Sequence, residues 1–294
     1  MEKMADKSKA KEEMVRAGVP VVPGSKGAVR TLDEGKKIAR EIGYPIMAKA
    51  SAGGGGRGMR LIKEEKDFDS QYLAASSEAL AAFGDGTMYL ERFINNPRHI
   101  EVQVIGDSHG NAIHIGERDC SLQRRHQKVI EESPAILLND ETRAKLHEVA
   151  VKATKYLKYE GAGTFEFLAD DKQNIYFMEM NTRLQVEHPV SEMVSGLDII
   201  EWMIKVAEGE KLPPQESIRF RGHAIECRIT AEDPNNFLPC PGKITQWMVP
   251  GGRNVRVDSH IYTNYIVPPY YDSMIGKLIV WGRDREKAIN IMKR

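Results

Sequence analysis

The sequence predicts an α+β protein, and three observations lead to that fold class. Residues 20–92 alternate short apolar strands with helical patterns around a glycine tract. Residues 93–214 combine long strand patterns with helical patterns and a hairpin that carries carboxylates. Residues 216–294 are mostly strand-like and follow a proline-containing break at 211–215. Together these patterns predict a small glycine-loop unit, a mixed central unit and a C-terminal part made mostly of strands.

The first elements are a short helix over residues 5–17, which carries Lys7, and then the glycine tract. The tract lies in Lys49–Arg60, directly after the apolar strand Tyr44–Ala48. Consecutive glycines let backbone amides converge on an anion, and the neighbouring cations add charge. The tract formally matches G-x-G-x-x-G, but the strand-like Met59–Ile62 follows it instead of a helix, so the dinucleotide fingerprint lacks its context. A flexible linker is the alternative, but the flanking strands and the lysine at the entrance favour a hairpin that covers phosphates.

The next feature is a pair of strand patterns, Thr164–Leu168 and Ile175–Glu179, joined by a polar turn. Folding about that turn places Glu166 opposite Glu179. Like charges directly opposite on a sheet are destabilising unless something compensates them. A divalent cation is the natural compensation, because Mg²⁺ takes carboxylates together with phosphate oxygens. The neutral oxygen of Asn181 is a further candidate ligand, and a structural carboxylate pair is the alternative.

The segment 180–193 reads as an extended strand, so alternate side chains share one face. The polar face that this reading gives consists of Glu179, Asn181, Arg183, Gln185 and Glu187. The packing face consists of Met178, Met180, Leu184 and Val186. A solvated strand face is the alternative, but such faces usually carry Lys, Glu and Thr and not short amides. The polar row suits the binding of a cation and an anion together.

A basic run, Glu117–Lys128, contains three cations and an imidazole within a few residues of one another. Such a cluster is a candidate oxyanion site. A solvated surface loop is the alternative for any basic run. A nucleic-acid patch is disfavoured because no aromatic residues interleave the cations and the whole chain is neutral, with 42 basic and 42 acidic residues.

Composition indicates a cytoplasmic enzyme without a membrane or nucleic-acid partner. Hydrophobic content of 41% and charged content of 29% suit a globular chain with ample core. Three widely spaced cysteines argue for reduced thiols and against a disulfide framework or a zinc site. The charged start does not read as a signal peptide, and no apolar run approaches the length of a membrane span.

The glycine tract, the basic run and the polar row, in this order, resemble the ATP-grasp enzymes and, within them, biotin carboxylases. The resemblance covers nearly the whole chain and includes four further stretches: Asn96–Gln103, Gly161–Phe167, Arg221–Arg228 and Pro268–Lys277. It implies an ATP-grasp fold with these segments: 1–19 as a connecting helix, 20–92 as a lid, 93–214 as the catalytic core and 215–294 as an incomplete, mostly-β C-terminal subdomain.

The resemblance also implies a role for each matching position. The ATP phosphates would be contacted by Lys7 and Lys49, under a loop that contains Gly55 and Gly56. The other nucleotide contacts it implies are Glu91, Arg92 and Ile94 at the adenine hinge, and His99, Gln123 and His126 in the pocket. The ligands it implies for Mg²⁺ (or Mn²⁺) are Glu166, Glu179 and Asn181. The bicarbonate pocket it implies is Arg183, Gln185, Val186 and Lys128, with Glu187 as general base and Arg256 against biotin.

The implied reaction is the first half-reaction of a biotin-dependent carboxylase, such as acetyl-CoA carboxylase in fatty acid synthesis. Glu187 would take the proton of bicarbonate, a poor nucleophile. The lysines and the metal would stabilise the transferring γ-phosphoryl group. Carboxyphosphate would then release CO₂ beside the biotin ring while Arg256 stabilises the enolate. The implied partners are a biotin carboxyl carrier, a carboxyltransferase component and a second copy of the full-length chain.

Both ends of the chain look cut, because the resemblance implies an α/β domain before residue 1 and more chain after the uncapped helical pattern 283–294. The sequence therefore leaves alternatives open. One is a nucleotide-binding module that is weakly active or inactive by itself. The other is an ATP-grasp ligase for a different carboxylate, such as a carbamoyl-phosphate or amino-acid ligase, against which the Arg183–Glu187 row and Arg256 argue. The final carboxyl acceptor is not encoded in this chain.

Overall fold

The structure is a computed structural model that describes residues 7–51 and 58–294, with the side chains of residues 7–9 left aside. In chain order the helices are α1 (Lys7–Arg16), α2 (Leu32–Ile42), α3 (Phe68–Phe83), α4 (Asp140–Tyr156), α5 (His188–Ser195), α6 (Ile199–Ala207) and α7 (Arg285–Lys293). The strands are β1 (Ile46–Ala50), β2 (Met59–Ile62), β3 (Met88–Arg92), β4 (Arg98–Gly106), β5 (Ala112–Arg124), β6 (Gln127–Ser133), β7 (Gly161–Ala169), β8 (Ile175–Asn181), β9 (His223–Thr230), β10 (Gly242–Lys243), β11 (Val255–Ser259), β12 (Ile266–Val267) and β13 (Met274–Gly282).

The strands that flank the glycine tract in the sequence belong to a small α/β unit. Its three antiparallel strands have the order β2-β1-β3, and α2 and α3 pack against them around a core that includes Phe68. Helix α2 begins where the Thr31 side chain accepts a hydrogen bond from the Glu34 amide, and ends at Gly43, whose φ of 80° favours glycine. The predicted strand–tract–strand order is confirmed, because β1 and β2 pair on either side of the tract. Gly55 and Gly56 lie outside the described residues.

The second unit is an eight-stranded antiparallel sheet with the order β11-β13-β9-β6-β5-β4-β7-β8. Apolar residues of α1 and α4 cover one face around Phe165, and α6 covers the other face around Ile105. Neighbouring residues such as Val104 and Ile105 point to opposite faces, as strand geometry requires. This arrangement confirms the predicted α+β class. The domain boundary at 214/215 stays a prediction, and the sheet runs across it because β6 pairs with β9.

The predicted extended strand over 180–193 is wrong beyond its first residues. Strand β8 ends at Asn181, and α5 begins at His188 with Glu187 at its N-cap position. Pro189 explains the change, because its fixed φ and missing N–H suit the first turn of a helix and not a ladder strand. Helix α5 ends at Gly196, which adopts a left-handed φ of 74° and separates α5 from α6.

The structure also decides two further points. The basic run is not a solvated surface loop, the alternative that the sequence left open, because most of the run lies within β5 and β6. Met178 is not on a packing face, because the pairing of β7 with β8 shifts between Glu166 and Phe167 and leaves Met178 as the extra residue. Its side chain is 39% exposed as a result. No helix in the described ranges is both long and apolar enough to cross a membrane.

Candidate active site

A cavity of about 840 Å³ opens where the β5–β6 hairpin, the β7–β8 hairpin and the segment before α5 meet. Twelve side chains proposed from the sequence line it: Lys49, His99, Gln123, His126, Lys128, Glu166, Glu179, Asn181, Arg183, Gln185, Val186 and Glu187. Although the strand reading of 180–193 was wrong, its polar residues still converge, since β8 delivers the first of them and the turn into α5 delivers the last.

Lys128 is the centre of the charge network in this cavity. Its Nζ lies 2.6 Å from Glu101 Oε2 and 2.6 Å from Glu187 Oε1. The same nitrogen lies 3.0 Å from Glu166 Oε1. Burial opposes its charge, but the carboxylates of Glu101, Glu187 and Glu166 outweigh burial, so the pKa of Lys128 lies above its ordinary value. One ammonium group therefore ties the proposed general base to a proposed metal ligand.

The base of the network is a buried pair that the sequence did not reveal. Arg118 has no exposed surface, and its Nε donates to Glu101 Oε1 at 2.6 Å. Burial would raise the pKa of Glu101, but Arg118 and Lys128 outweigh that effect and lower it to about 2. The other groups that accept hydrogen bonds from the Arg118 guanidinium are Gln103, Thr164, Gln185 and Ser191. Glu101 is therefore a carboxylate at neutral pH, held rigidly under the cavity.

The predicted opposition of Glu166 and Glu179 is confirmed, since they are register partners across the β7–β8 hairpin. Glu166 Oε1 accepts hydrogen bonds from Asn181 Nδ2 and Gln185 Nε2, both at 2.9 Å. His99 Nε2 lies 3.0 Å from Glu166 Oε2, although not in hydrogen-bond geometry. Burial opposes the negative charge, but contacts with His99 and Lys128 lower the pKa of Glu166 to about 2.

These residues fit a divalent cation. Glu166 and Glu179 present two carboxylates from facing strands to one cavity, and the side-chain oxygen of Asn181 is a third hard donor. Carboxylates that face each other need positive charge between or beside them. Lys128 supplies part of that charge to Glu166, and a divalent cation held by both carboxylates would add to it.

Glu187 is 2% exposed and is held at both oxygens. Lys128 contacts Oε1, and Arg228 Nη2 donates to Oε2 at 3.0 Å. Arg228 lies on β9 and lines the cavity. Its Nε donates to Glu131 Oε1 at 2.7 Å, so the guanidinium connects two buried carboxylates. Sequence reasoning gave no role to Arg228, although it ends one of the stretches that carried the resemblance.

The structure corrects the placement of Arg256. Its Nε and Nη2 donate to Asp258 at 2.8 Å each, and its Nη1 donates to Glu192 at 2.6 Å. Arg256 does not line the cavity. The physical reason is its position on β11, the edge strand of the large sheet. Strands β13 and β9 lie between β11 and the β5–β6 hairpin. Arg228 is the arginine that the C-terminal strands contribute to the cavity.

The adenine-hinge residues also lie away from the lined cavity. Glu91 accepts hydrogen bonds from Lys49 at 2.6 Å and Lys11 at 3.0 Å. Arg92 donates to the carbonyl of Ile42 at 2.9 Å, and Ile94 is buried. Their assignment to adenine stays a prediction, as does the phosphate contact of Lys7, whose side chain is outside the described part of the chain.

The β5–β6 hairpin places strained backbone at the cavity. Arg124 pairs with Gln127, so Arg125 and His126 form a two-residue loop with φ values of 50° and 66°. Such loops favour Asn-Gly, and a left-handed conformation costs a larger residue ~1–3 kcal/mol. The Arg124 side chain pairs with Glu232 and lies over the Phe237 ring at 4.4 Å. The left-handed backbone conformation of this loop is therefore strained at the place where the hairpin carries its cations and imidazole.

The anion end of the cavity contains a guanidinium with few protein contacts. Arg183 is exposed and donates to the neighbouring Leu184 carbonyl at 3.1 Å. Lys277, which the sequence did not single out for the site, donates to the Val186 carbonyl at 2.7 Å and fixes the backbone there. Arg183, Lys128 and Gln185 therefore offer donors to a small anion beside Glu187.

Comparisons with known proteins identify the family of this chain. The family model described as the carbamoyl-phosphate synthase L chain, ATP binding domain, matches residues 6–215, and the one described as the biotin carboxylase C-terminal domain matches residues 226–294. The chain is 58% identical over 293 residues to a biotin carboxylase of Nostoc sp., covering 99% of this chain and 66% of that protein. It therefore spans less than two thirds of the length of the curated relatives it matches.

Two solved structures show the same fold. The biotin carboxylase of Campylobacter jejuni, in a β,γ-ATP complex, has a TM-score of 0.89 and 68% identity, covering 99% of this chain and 66% of that one. The biotin carboxylase domain dimer of Hydrogenobacter thermophilus 2-oxoglutarate carboxylase, with MgADP, ADP and bicarbonate, has a TM-score of 0.86 and 53% identity, covering 99% and 65%. The fold and site define a protein of the ATP-grasp class. The chain belongs to the biotin carboxylase family.

Proposed function

We propose that this chain carries the site at which biotin, attached to a carrier, is carboxylated by bicarbonate at the expense of ATP. The observation that carries the proposal is the position of Lys128, 2.6 Å from the candidate base Glu187 and 3.0 Å from the candidate metal ligand Glu166. A bicarbonate beside Lys128 would adjoin both the group that takes its proton and a group that would hold the metal ion of the nucleotide. The Hydrogenobacter thermophilus relative, which binds MgADP and bicarbonate, supports this reading.

ATP would lie with its phosphates near Lys49, His99, Gln123 and His126, all of which line the cavity. Lys7, Gly55 and Gly56 complete the phosphate contacts in this proposal, and Glu91, Arg92 and Ile94 serve the adenine. Glu166, Glu179 and Asn181 would hold Mg²⁺ or Mn²⁺. Bound there, the metal would supply positive charge that offsets the phosphate oxygens during transfer.

The first chemical step forms carboxyphosphate. Arg183, Gln185, Lys128 and the backbone at Val186 hold bicarbonate, and Glu187 accepts its proton. A bicarbonate oxygen then bonds to the γ-phosphorus while the bond from that phosphorus to the ADP oxygen breaks. Lys128 and Lys49 stabilise the negative charge that spreads over the transferring group. Because Lys128 and Arg228 hold both oxygens of Glu187, the base stays fixed beside the anion.

The second step transfers carbon dioxide to biotin. The carbon–oxygen bond of carboxyphosphate breaks to give CO₂ and phosphate, and phosphate takes the ureido N–H proton. The ureido nitrogen then bonds to CO₂ while a guanidinium stabilises the charge on the ureido oxygen. We assign that guanidinium to Arg228, which lines the cavity, and not to Arg256, which is held by Asp258 and Glu192. Products are carboxybiotin, ADP and phosphate.

A biotin carboxyl carrier, a carboxyltransferase and a second copy of the full-length chain are the proposed partners. The final acceptor is left open, because the relatives include both a protein named biotin carboxylase and a domain of a 2-oxoglutarate carboxylase. The cytoplasmic location and participation in fatty acid synthesis stay predictions from the sequence.

Free biotin, bicarbonate and MgATP test the proposal directly. We expect ADP formation that requires bicarbonate and carboxybiotin formation that requires both substrates. The measurement is made on this chain, first with free biotin and then with a biotinylated carrier as substrate. ADP formation without bicarbonate dependence under both conditions would overturn the proposal.

A further inference from the structure

Two buried carboxylates lie behind the proposed general base, and the mechanism uses neither of them. Glu131 on β6 and Glu226 on β9 are register partners, and neither has exposed surface. Directly opposite residues on antiparallel strands have Cβ atoms ~4.5–5.5 Å apart. The structure therefore places two acidic side chains face to face inside the protein, between the sheet and α5.

Their hydrogen bonds are incomplete. Glu131 Oε1 accepts from Arg228 Nε at 2.7 Å, but Glu131 Oε2 has no hydrogen-bond partner among the described residues. Neither oxygen of Glu226 has one in that part of the chain. An ionised carboxylate that is buried without a donor is strongly unfavourable and takes up a proton instead.

The nearby cations already have other partners. The charged groups that act on this pair are Glu101, Glu187, Arg228 and Lys277. The neighbouring elements β5, β6 and α5 also carry the titratable or charged residues Arg118, Cys120, Lys128, His188 and Glu192. Arg118 bonds Glu101, and Lys128 bonds three other carboxylates. Lys277 donates to the Val186 carbonyl. Among the cations of the described residues, Arg228 alone bonds the pair, through Glu131, and it shares its charge with Glu187.

We propose that Glu131 and Glu226 hold one proton between them and thereby act as positioning residues for Arg228. A shared proton turns two opposed acceptors into a donor and an acceptor. The pair then carries one negative charge, which balances the single negative charge of Glu187 on the other side of the Arg228 guanidinium. The catalytic part of this inference rests on the proposed function, but the shared proton does not.

The electrostatics support the same state. Burial raises the pKa of Glu131 to about 7, with Glu187 adding to the effect against the opposing pull of Arg228. Burial and the neighbouring Glu131 raise the pKa of Glu226 well above its ordinary value. Loss of the proton at alkaline pH would put two negative charges on one side of Arg228 and one on the other. The guanidinium would be drawn away from Glu187 and from biotin, and carboxylation would fall.

Infrared spectroscopy of the chain at pH 7 tests the shared proton without any need for activity. Ordinary carboxyl groups are ionised at that pH. We therefore expect the carbonyl band of a protonated carboxylic acid, and we expect Glu226→Gln to remove it. The matched control is Glu132→Gln, the next residue on β6, whose carboxylate is paired with His223 and Arg285 and has its pKa lowered to about 2 by those partners against burial. The control should keep the band.

The absence of the acid band from the unsubstituted chain would overturn the inference even if Glu226→Gln failed to fold. A band that survives both Glu131→Gln and Glu226→Gln would also overturn it. The positioning role is tested by the pH dependence of the biotin carboxylation rate. In Glu226→Gln the alkaline limb of that pH–rate profile should move up by ~1–3 pH units, because the glutamine amide mimics the protonated acid permanently. An unmoved limb, with the band lost, would refute positioning. If the carboxylic acid band is present and is lost in Glu226→Gln, but no carboxylation of biotin occurs at any pH, the proposed function is refuted instead.

Discussion

Replacing Lys128 with methionine tests how much this one cation stabilises the buried carboxylates of the site. The Lys128 side chain is 13% exposed, and the three carboxylates it contacts are exposed by 5% or less. Removing one partner of a buried ion pair costs ~3–5 kcal/mol, because the remaining charge stays buried. Arg118 still compensates Glu101, and Arg228 still compensates Glu187. We therefore expect a loss of ~3 kcal/mol in the free energy of unfolding at pH 7, at the lower end of that range.

The pH dependence gives this prediction a sign. With Lys128 present, the pKa values of Glu101 and Glu166 are both about 2, below the ordinary value near ~4.3. Groups whose folded pKa is lowered contribute stability above their unfolded pKa and lose it as the pH falls towards the folded pKa. Without Lys128 those folded pKa values rise, so the variant loses less on acidification. The difference between variant and parent should narrow below pH ~4.3.

Urea unfolding followed by circular dichroism at pH 7 and in acid measures both effects. The control is Lys66→Met, which removes an exposed pair with Glu64 and should leave the unfolding midpoint nearly unchanged. Equal stability of the Lys128 variant and the parent at pH 7 would refute the reasoning. A difference that stays constant into acid would show that lost packing, and not charge, is responsible.

Three further predictions concern the metal, biotin and the buried acids. Glu179→Gln should weaken MgATP binding by ~10-fold or more in calorimetric titration while the circular dichroism spectrum is unchanged, and unaltered affinity would remove Glu179 from the metal site. Arg228→Ala should lower carboxybiotin formation by ~10²–10³-fold and bicarbonate-dependent ATP cleavage by less, because Lys128 still holds Glu187, whereas Arg256→Ala should show no such excess loss of carboxybiotin; the opposite pattern would restore Arg256 to the biotin site. A group whose folded pKa is raised gives stability below its unfolded pKa that is lost as the pH rises. The parent should therefore lose stability from pH ~4.3 to about 7, where Glu131 titrates, and Glu226→Gln should flatten that slope in urea unfolding; an identical slope would contradict the shared proton.

Local patterns in the sequence were sufficient to predict the hairpin that carries Glu166 and Glu179. Alternation and a polar turn placed Glu166 opposite Glu179, and β7 and β8 pair in that register. The same alternation failed after Asn181, because a proline two residues beyond Glu187 starts a helix. Glu187 nevertheless lies in the cavity as predicted, because the turn into α5 directs its side chain towards Lys128.

Contacts between distant strands could not be read from the sequence. Arg118 meets Glu101 because β4 pairs with β5, and Glu131 meets Glu226 because β6 pairs with β9. The choice between Arg228 and Arg256 depends on the strand order, which no local spacing encodes. Both are arginines on short strands of the C-terminal part, and only the sheet shows which strand lies next to the cavity.

The oxygen path from bicarbonate tests the central claim most directly. In the proposed reaction a bicarbonate oxygen bonds to the γ-phosphorus and stays there when the carbon–oxygen bond of carboxyphosphate breaks. Turnover of MgATP with oxygen-18 bicarbonate in unlabelled water, measured before the label exchanges, should therefore give inorganic phosphate that contains one labelled oxygen. Mass spectrometry of the phosphate measures it, and Glu187→Gln should abolish formation of the labelled product. Phosphate that takes its new oxygen from water instead would contradict the account.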